Sequence, residues 1–318
     1  MNKKEIGGYL PLELNKFHPY HVNATELNSG RNALEYILLN RVVDIVYLPL
    51  YTCDAVLAPL QNLNINYRFY HIDKSLEPIF DFNKLTINDL FLFNNYFGLK
   101  DDYLATIPKD QKGIIVDNSQ AFFSLPVSDF STFYSPRKFF GVPDGGYVYC
   151  KDKSNVSLER DESFSRMSHL NGSIDIDTAS FYNNYLRNEE VVGGIPLKKM
   201  SFLTKSLLGN IDYHQIKNRR ISNFRYLDNE LRFRNELELK MTENSVPLCY
   251  PYLVEDGSYL KDKLINNKIY IPTYWPNVLQ WTRDEIFETY LTNNLVCLPV
   301  DQRYNEDDMK RLLKILHE

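Results

Sequence analysis

Three segments of this sequence carry residue types able to hold an anion, a charged ring and a carbonyl carbon. Ser29-Gly30-Arg31-Asn32 stands directly before a helical pattern. Free backbone N–H groups converge at a helix start and attract anions, and Arg31 adds a two-pronged phosphate contact. Asp117 and Gln120 follow the apolar run GIIV at 113–116. A carboxylate at the end of a buried strand needs a partner, either the next turn or a cationic ring nitrogen of a ligand. The third segment is FYSPRKFFGVPDGG at 133–146, with Lys138 between apolar rings and a glycine turn. Loss of solvation there lowers the pKa of the amine and makes it nucleophilic. Each segment alone also has a plainer reading: a helix cap, a turn cap, and a lysine reaching for solvent beside a hairpin turn. Together, a phosphate site, a ring-nitrogen carboxylate and a reactive lysine are the parts of a pyridoxal phosphate (PLP) site.

The elements that must position these residues alternate. A helix is expected over 31–41, where Leu34, Ile37 and Leu38 keep helical spacing, and a strand over 44–50. A helix over 51–63 and a strand over 67–72 follow, then strands within 90–97, 113–119, 131–135 and 146–150. Strands separated by helix-length segments predict a largely parallel sheet with helices on both faces. Ligands then bind beyond the carboxyl ends of the strands, where all three segments fall. From Asp212 to Arg234, Tyr213, Ile216, Phe224, Leu227 and Leu231 mark one face of a long helix. Short strand-like pieces VPLCYPYLV, KIYIPTYWP and LVCLPVD come after it. A last helix is capped by Asn305 and buries Met309, Leu312, Leu313 and Leu316. The expected domains are 1–205, a large α/β domain, and 206–318, a small α+β domain.

The chain has 318 residues, and 36 Lys plus Arg against 41 Asp plus Glu leave a net charge of −5. That balance gives nucleic acid no general electrostatic hold. No apolar stretch approaches the ~20 residues of a membrane span, and the N-terminus does not read as a signal peptide. Four scattered cysteines, at 53, 150, 249 and 297, form no CxxC pair. They read as reduced core thiols, neither a metal site nor a disulfide framework, and a cytoplasmic location is expected. The 23 Tyr and 19 Phe imply a ring-filled core.

The order and spacing of the segments resemble the DegT/DnrJ/EryC1/StrS family of sugar aminotransferases, of the aspartate aminotransferase fold class. The likeness runs through SGRNAL at 29–34, LPLYT at 48–52, NNYFG at 94–98, DNSQA at 117–121, SPRKFFGVPDGG at 135–146, MSFLTKSLL at 200–208 and LPVDQRY at 298–304. The Asp-x-x-Gln signature and the lysine loop are the specific part. The resemblance implies PLP-dependent transferase fold type I, mostly parallel in its central sheet, with a smaller α+β C-terminal domain. It implies that Lys138 holds the cofactor and moves protons, that Asp117 holds the ring nitrogen, and that Gln120 lies near the ring's 3-oxygen. Gly30, Arg31 and Asn32 would hold the phosphate. The implied reaction moves an amino group, from glutamate as donor, to a nucleotide-linked keto sugar in polysaccharide or glycoconjugate biosynthesis. A homodimer with sites at the subunit interface is also implied. The alternative is a catalytically degenerate protein of the same fold that binds a nucleotide sugar or a partner subunit.

The chain departs from the family at several positions. Arg31 stands where a threonine is usual, and Cys53 where an aromatic covers the ring, leaving Tyr51 to do so. Phe133 replaces the serine five residues before the lysine, so Ser131 or Ser135 must substitute. The loop that usually reads Gly-x-Asn-x-Arg is GGIPLKK at 193–199, with Lys199 as its basic residue.

Overall fold

The apolar runs read from the sequence become the centre of one sheet. The computed structural model describes residues 6–39, 41–152 and 156–318. In it β1 (Thr25–Leu27), β2 (Ile45–Pro49), β3 (Asn66–Ile72), β4 (Pro78–Ile79), β5 (Leu90–Asn94), β6 (Ile114–Asp117), β7 (Ser131–Tyr134) and β8 (Gly146–Tyr149) lie in the order β1-β8-β7-β6-β5-β2-β3-β4. The pairs β3–β2, β2–β5, β5–β6 and β6–β7 are parallel, and β7–β8, β8–β1 and β3–β4 are antiparallel. From β2 the chain goes outward to β3 and then returns to β2's other side as β5. That reversal opens a crevice at the carboxyl ends of the central strands, where such folds take ligands.

The helices are α1 (Gly30–Leu38), α2 (Leu57–Asn62), α3 (Asp101–Leu104), α4 (Ser168–Asp175), α5 (Tyr182–Gly194), α6 (Phe202–Leu208), α7 (Tyr213–Leu231), α8 (Gly257–Asn266), α9 (Val278–Trp281), α10 (Phe287–Asn294) and α11 (Glu306–His317). β9 (Cys249–Leu253) and β10 (Leu295–Pro299) make a separate antiparallel pair. None of the described helices is long and apolar enough to cross a membrane.

Side chains alternate across the central strands, as the period of two requires. Leu90, Leu92 and Ile115 face α1 and α2 in one apolar cluster. Phe91, Phe93, Ile114 and Val116 face the other way, into a larger cluster that also holds Phe224, Leu227, Tyr250, Val296 and Leu312. One continuous core therefore joins the sheet to the C-terminal elements. Residue 205, where the sequence suggests a boundary, lies inside α6, and the chain next breaks at Gly209 before α7. The strand expected in KIYIPTYWP does not form: residues 269–275 run without regular structure. Pro272 and Pro276 remove ladder donors there, and Trp275 is packed against Tyr51 instead. On the last helix Ile315 is buried and Leu316 only half-buried.

A buried histidine fixes the segment before β1. His21 Nε2 donates to Phe122 O at 2.9 Å, and Nδ1 lies 3.3 Å from the Tyr149 hydroxyl, which donates to the Val22 carbonyl at 3.0 Å. Its ring centroid lies 4.1 Å from that of Tyr134. Burial pushes the imidazole down to about 4, against a smaller opposing effect of the Phe122 carbonyl. The folded chain thus keeps His21 neutral while the unfolded chain takes up a proton below about pH 6.5. Stability is lost as pH falls from about 6.5 to about 4, by about 3 kcal/mol from this group. Urea unfolding of the native chain and of His21→Gln over that range will show the variant with the shallower decline.

Candidate active site at the strand ends

The site is built where three parallel strands stop in register. Asn94 at the end of β5 lies opposite Asp117 at the end of β6, and Asp117 lies opposite Phe133 on β7. Asp117 Oδ1 accepts the Ser119 N–H at 2.7 Å. Burial raises the Asp117 carboxyl above the ordinary range, and the Lys138 charge and the Ser119 hydrogen bonds partly offset this. Lys138 is thus an electrostatic neighbour of Asp117, two segments that the sequence holds 21 residues apart.

After β7 the chain makes one tight turn, Pro136–Lys138, and successive side chains fan out. Phe139 and Phe140 turn inward and join a buried cluster with Phe122, Phe123 and Tyr213. Lys138 turns outward and is exposed. The rings beside it in sequence therefore do not bury it, contrary to the reading of the FYSPRKFF segment. The Lys138 charge acts instead on its electrostatic neighbours Asp117 and Cys53.

Gly30 opens α1, with Ser29 as its cap: Ser29 Oγ accepts the Asn32 N–H at 3.1 Å. A Cβ on Gly30 would lie 3.2 Å from Ser135 Cβ and 3.5 Å from Ser119 Oγ. The glycine leaves open a small cradle between two hydroxyl side chains and the first-turn N–H groups of the helix, which have no intrahelical acceptor. Ser135 is drawn in as the sequence suggests. Ser119 belongs to the same cradle and was not singled out from the sequence, although it sits between Asp117 and Gln120.

The other site residues divide. Gln120 is buried; its Oε1 accepts the Phe97 N–H at 3.1 Å, and its Nε2 has no partner among the described residues. Asn94 is similar, donating to Thr52 Oγ1 at 2.9 Å while its Oδ1 is unpartnered. Arg31 Nη1 donates to the Gly193 carbonyl at the end of α5, leaving its Nε without a partner among the described residues. Asn32 is committed elsewhere. Its Nδ2 donates to Asn28 Oδ1 at 2.8 Å and to the carbonyls of Ile195 and Pro196 at 3.1 and 3.0 Å, so it pins the 195–196 turn rather than facing an anion.

Tyr51 does not cover a ring at this site. It is fully buried, its hydroxyl donates to Tyr274 O at 3.1 Å, and its ring meets Trp275 edge-on at 4.7 Å. The reason lies in β2, which ends at Pro49 and carries Tyr51 into the aromatic cluster beneath the strand ends. Half-buried Cys53 is a second electrostatic neighbour of Lys138: burial raises its thiol pKa, and the Lys138 charge opposes this.

Two further contacts hold the lysine turn. Arg137 forms an ion pair with Glu189 of α5, so Arg31 and Arg137 grip the same helix from either side of the cradle. Asp144, read as part of a hairpin turn, is fully buried. It accepts from Ser201 N and Ser201 Oγ at 2.8 and 2.7 Å, and from the Thr204 hydroxyl, and so fastens the start of α6.

No family model matches the chain, and no curated protein matches it by sequence. Solved structures do. The sugar aminotransferase CalS13 from Micromonospora echinospora is similar over 92% of this chain and 86% of its own, at 15% identity and a TM-score of 0.63. NtdA from Bacillus subtilis, solved with bound PMP, matches over 93% of this chain and 73% of its own, at 14% identity and 0.64. A DegT/DnrJ/EryC1/StrS aminotransferase from Brucella abortus matches over 92% and 85%, at 14% identity and 0.63. The chain has the fold of these aminotransferases. The mostly parallel α/β sheet expected from the sequence is the one found, and at such low identity the likeness speaks for the fold.

The tightest point of the site is the glycine pair that ends the lysine loop. Gly145 N donates to Asn28 O at 2.7 Å, and a Cβ on Gly146 would fall 2.3 Å from the Ser29 carbonyl oxygen. Because that neighbour is backbone, it cannot swing aside. Gly146→Ala is expected to lower unfolding free energy by about 2 kcal/mol or more. Gly194→Ala, with open space around its Cβ, will stay within about 0.5 kcal/mol of the native chain in the same urea titration.

Proposed function

We propose that this chain is a PLP-dependent aminotransferase that moves an amino group from an amino donor, glutamate on the family's pattern, to a nucleotide-linked keto sugar. Polysaccharide or glycoconjugate biosynthesis in the cytoplasm is the setting we infer. The observation that carries the reading is the meeting of Lys138 and Asp117 beside the Gly30 cradle, in a fold shared with sugar aminotransferases.

The residues present fit the cofactor. The cradle that a Cβ would fill has the N–H groups and the Ser119 and Ser135 hydroxyls that suit a phosphate. The Arg31 Nε–H, without a partner among the described residues, would join them. Asp117 would hold a protonated ring nitrogen by charge, and the unpartnered Gln120 Nε2 would donate to the ring's 3-oxygen. When bound, PLP supplies an electron-withdrawing ring that stabilises charge on the substrate carbon beside the nitrogen. Lys138 would hold the cofactor through Nζ. With the donor's amine in its place, Nζ would be free to move the proton between the substrate carbon that bears the nitrogen and the cofactor's methine carbon. Its exposure leaves the amine free to reach both atoms.

One observation favours a second reading, a protein that keeps the fold and binds a nucleotide sugar or a partner subunit without turnover. Tyr51 is locked in the core, and Cys53 offers no aromatic face. Absorbance with added PLP, borohydride reduction and peptide mapping separate the two. A band that reduction fixes on Lys138 is expected, and Lys138→Ala is expected to lower amino transfer by on the order of 10³-fold or more. Absence of any PLP adduct would leave the binding protein as the account.

A homodimer is part of the same proposal. Ile174, Ile176, Leu186 and Val191 leave a cluster of exposed apolar side chains on α4, α5 and their connection, and such patches mark interfaces. Sedimentation velocity is expected to give a dimer. A monomer with full turnover would overturn this.

A further inference from the structure

The C-terminal elements send a buried arginine to the lysine turn. Arg220 of α7 is 2% exposed. Among the described residues it makes no ion pair, and its hydrogen bonds go to neutral oxygens. Nη1 donates to the Pro247 and Leu248 carbonyls, both at 3.1 Å, and Nε donates to Gln302 Oε1 at 3.1 Å. Gln302 passes the contact on: its Nε2 donates to the Phe139 carbonyl at 2.8 Å. Phe139 is the residue after Lys138, and its ring also meets the guanidinium, whose carbon lies 4.6 Å from the ring centroid. One turn along α7, buried Asn223 donates to the Val300 and Tyr304 carbonyls at 3.2 and 3.0 Å, which fixes the loop that carries Gln302.

The same guanidinium reaches the other wall of the site through backbone. Leu248, whose carbonyl it holds, donates its N–H to Phe97 O at 2.9 Å, and the Phe97 N–H is the donor to Gln120 Oε1. Fully buried Phe97 has a φ of 56°, a left-handed conformation that a bulky residue keeps only where its surroundings impose it. Gly98 beside it has a φ of 71°, and a Cβ there would fall 2.8 Å from the Val246 carbonyl oxygen.

We propose that Gln302, held by Arg220, is a positioning residue for Lys138, and that Arg220 braces Gln120 through Leu248 and Phe97. The proposal rests on the aminotransferase reading above, in which Lys138 and Gln120 hold the cofactor. Two of the lysine turn's own bonds, from the Phe139 and Phe140 N–H groups, converge on the single Pro136 carbonyl. The direction in which the turn presents Lys138 therefore depends on what holds the Phe139 carbonyl from outside. Here the chemistry of the partners sets the geometry. An arginine can only donate and a carbonyl can only accept, so the Gln302 amide must turn its oxygen to Arg220 and its nitrogen to Phe139. A glutamine does both. An ionised glutamate would do only the first.

The test is hydrogen exchange of the full chain, with and without PLP, read on the peptides that carry residues 136–142 and 94–98. Without PLP, Gln302→Leu and Gln302→Glu are each expected to raise exchange over 136–142 about fivefold, the loss of one hydrogen bond. Arg220→Lys keeps the charge but not the fork, and is expected to raise exchange over 94–98 as well. Gln302 is only half-buried, so its variants should fold. Gln302→Glu pairs its carboxylate with Arg220 and is expected to unfold in urea no earlier than the native chain, while its affinity for PLP falls about fivefold. In Gln302→Leu the pH midpoint of the band that PLP gives on Lys138 is expected to shift. In Leu231→Ala, a more destabilised chain altered on the same helix, that midpoint is expected to stay. Unchanged exchange over 136–142 in both Gln302 variants would overturn the proposal whether or not PLP binds. Faster exchange with an unmoved band and unchanged PLP affinity would reduce Gln302 to a structural tie and overturn its role at Lys138. A native chain that fixes no PLP would remove the aminotransferase reading, and the exchange rates would still decide whether Arg220 and Gln302 hold the turn.

Discussion

Everything at the strand ends depends on two backbones lying almost in contact. Gly145 and Gly146 bring the start of β8 against Asn28 and Ser29, closer than any side chain would permit. This approach seats the first turn of α1 against the lysine loop, so Gly30 comes to rest between Ser119 and Ser135. Without it the helix start would still be capped by Ser29, but the three segments would not share a space. The covered sheet beneath sets the register in which β6 and β7 end and β8 begins.

The aromatic residues do a different job from the one their number suggests. Phe91 and Phe93 fill the face of the sheet that meets the C-terminal elements, while leucines fill the other. The C-terminal part packs over the ring-rich side. Tyr51 and Trp275 belong to that seam. Its demand for a filled core explains why Tyr51 is unavailable at the surface of the site.

The order of strands, the long α7 helix and the capped α11 helix were legible because each has a period that matches its burial. β1 was missed because three residues hold no period, and the 269–275 segment misled because its β-rich composition is interrupted by prolines. At the site, residue types at strand ends were readable: Asp117, Lys138, Gly30 and Ser135 converge. What could not be read was direction. A one-turn helix decides whether Lys138 or its neighbouring rings face solvent, and a hydrogen bond to a distant turn decides that Asn32 ties loops together. Ser119 carried a signal in hindsight, being the one hydroxyl between two site residues.

The grip of Arg31 and Arg137 on α5 has a mechanical meaning. One arginine holds the carbonyl of Gly193 near the end of that helix and the other holds Glu189 one turn earlier, and each is bonded in sequence to a residue of the cradle or the lysine turn. The helix is therefore a shared handle on both halves of the site. Its outer face carries exposed apolar residues, so whatever settles there presses on the handle. Because both arginines end on α5, the start of α1 and the lysine turn are joined through this helix as well as through the glycine contact of the loop.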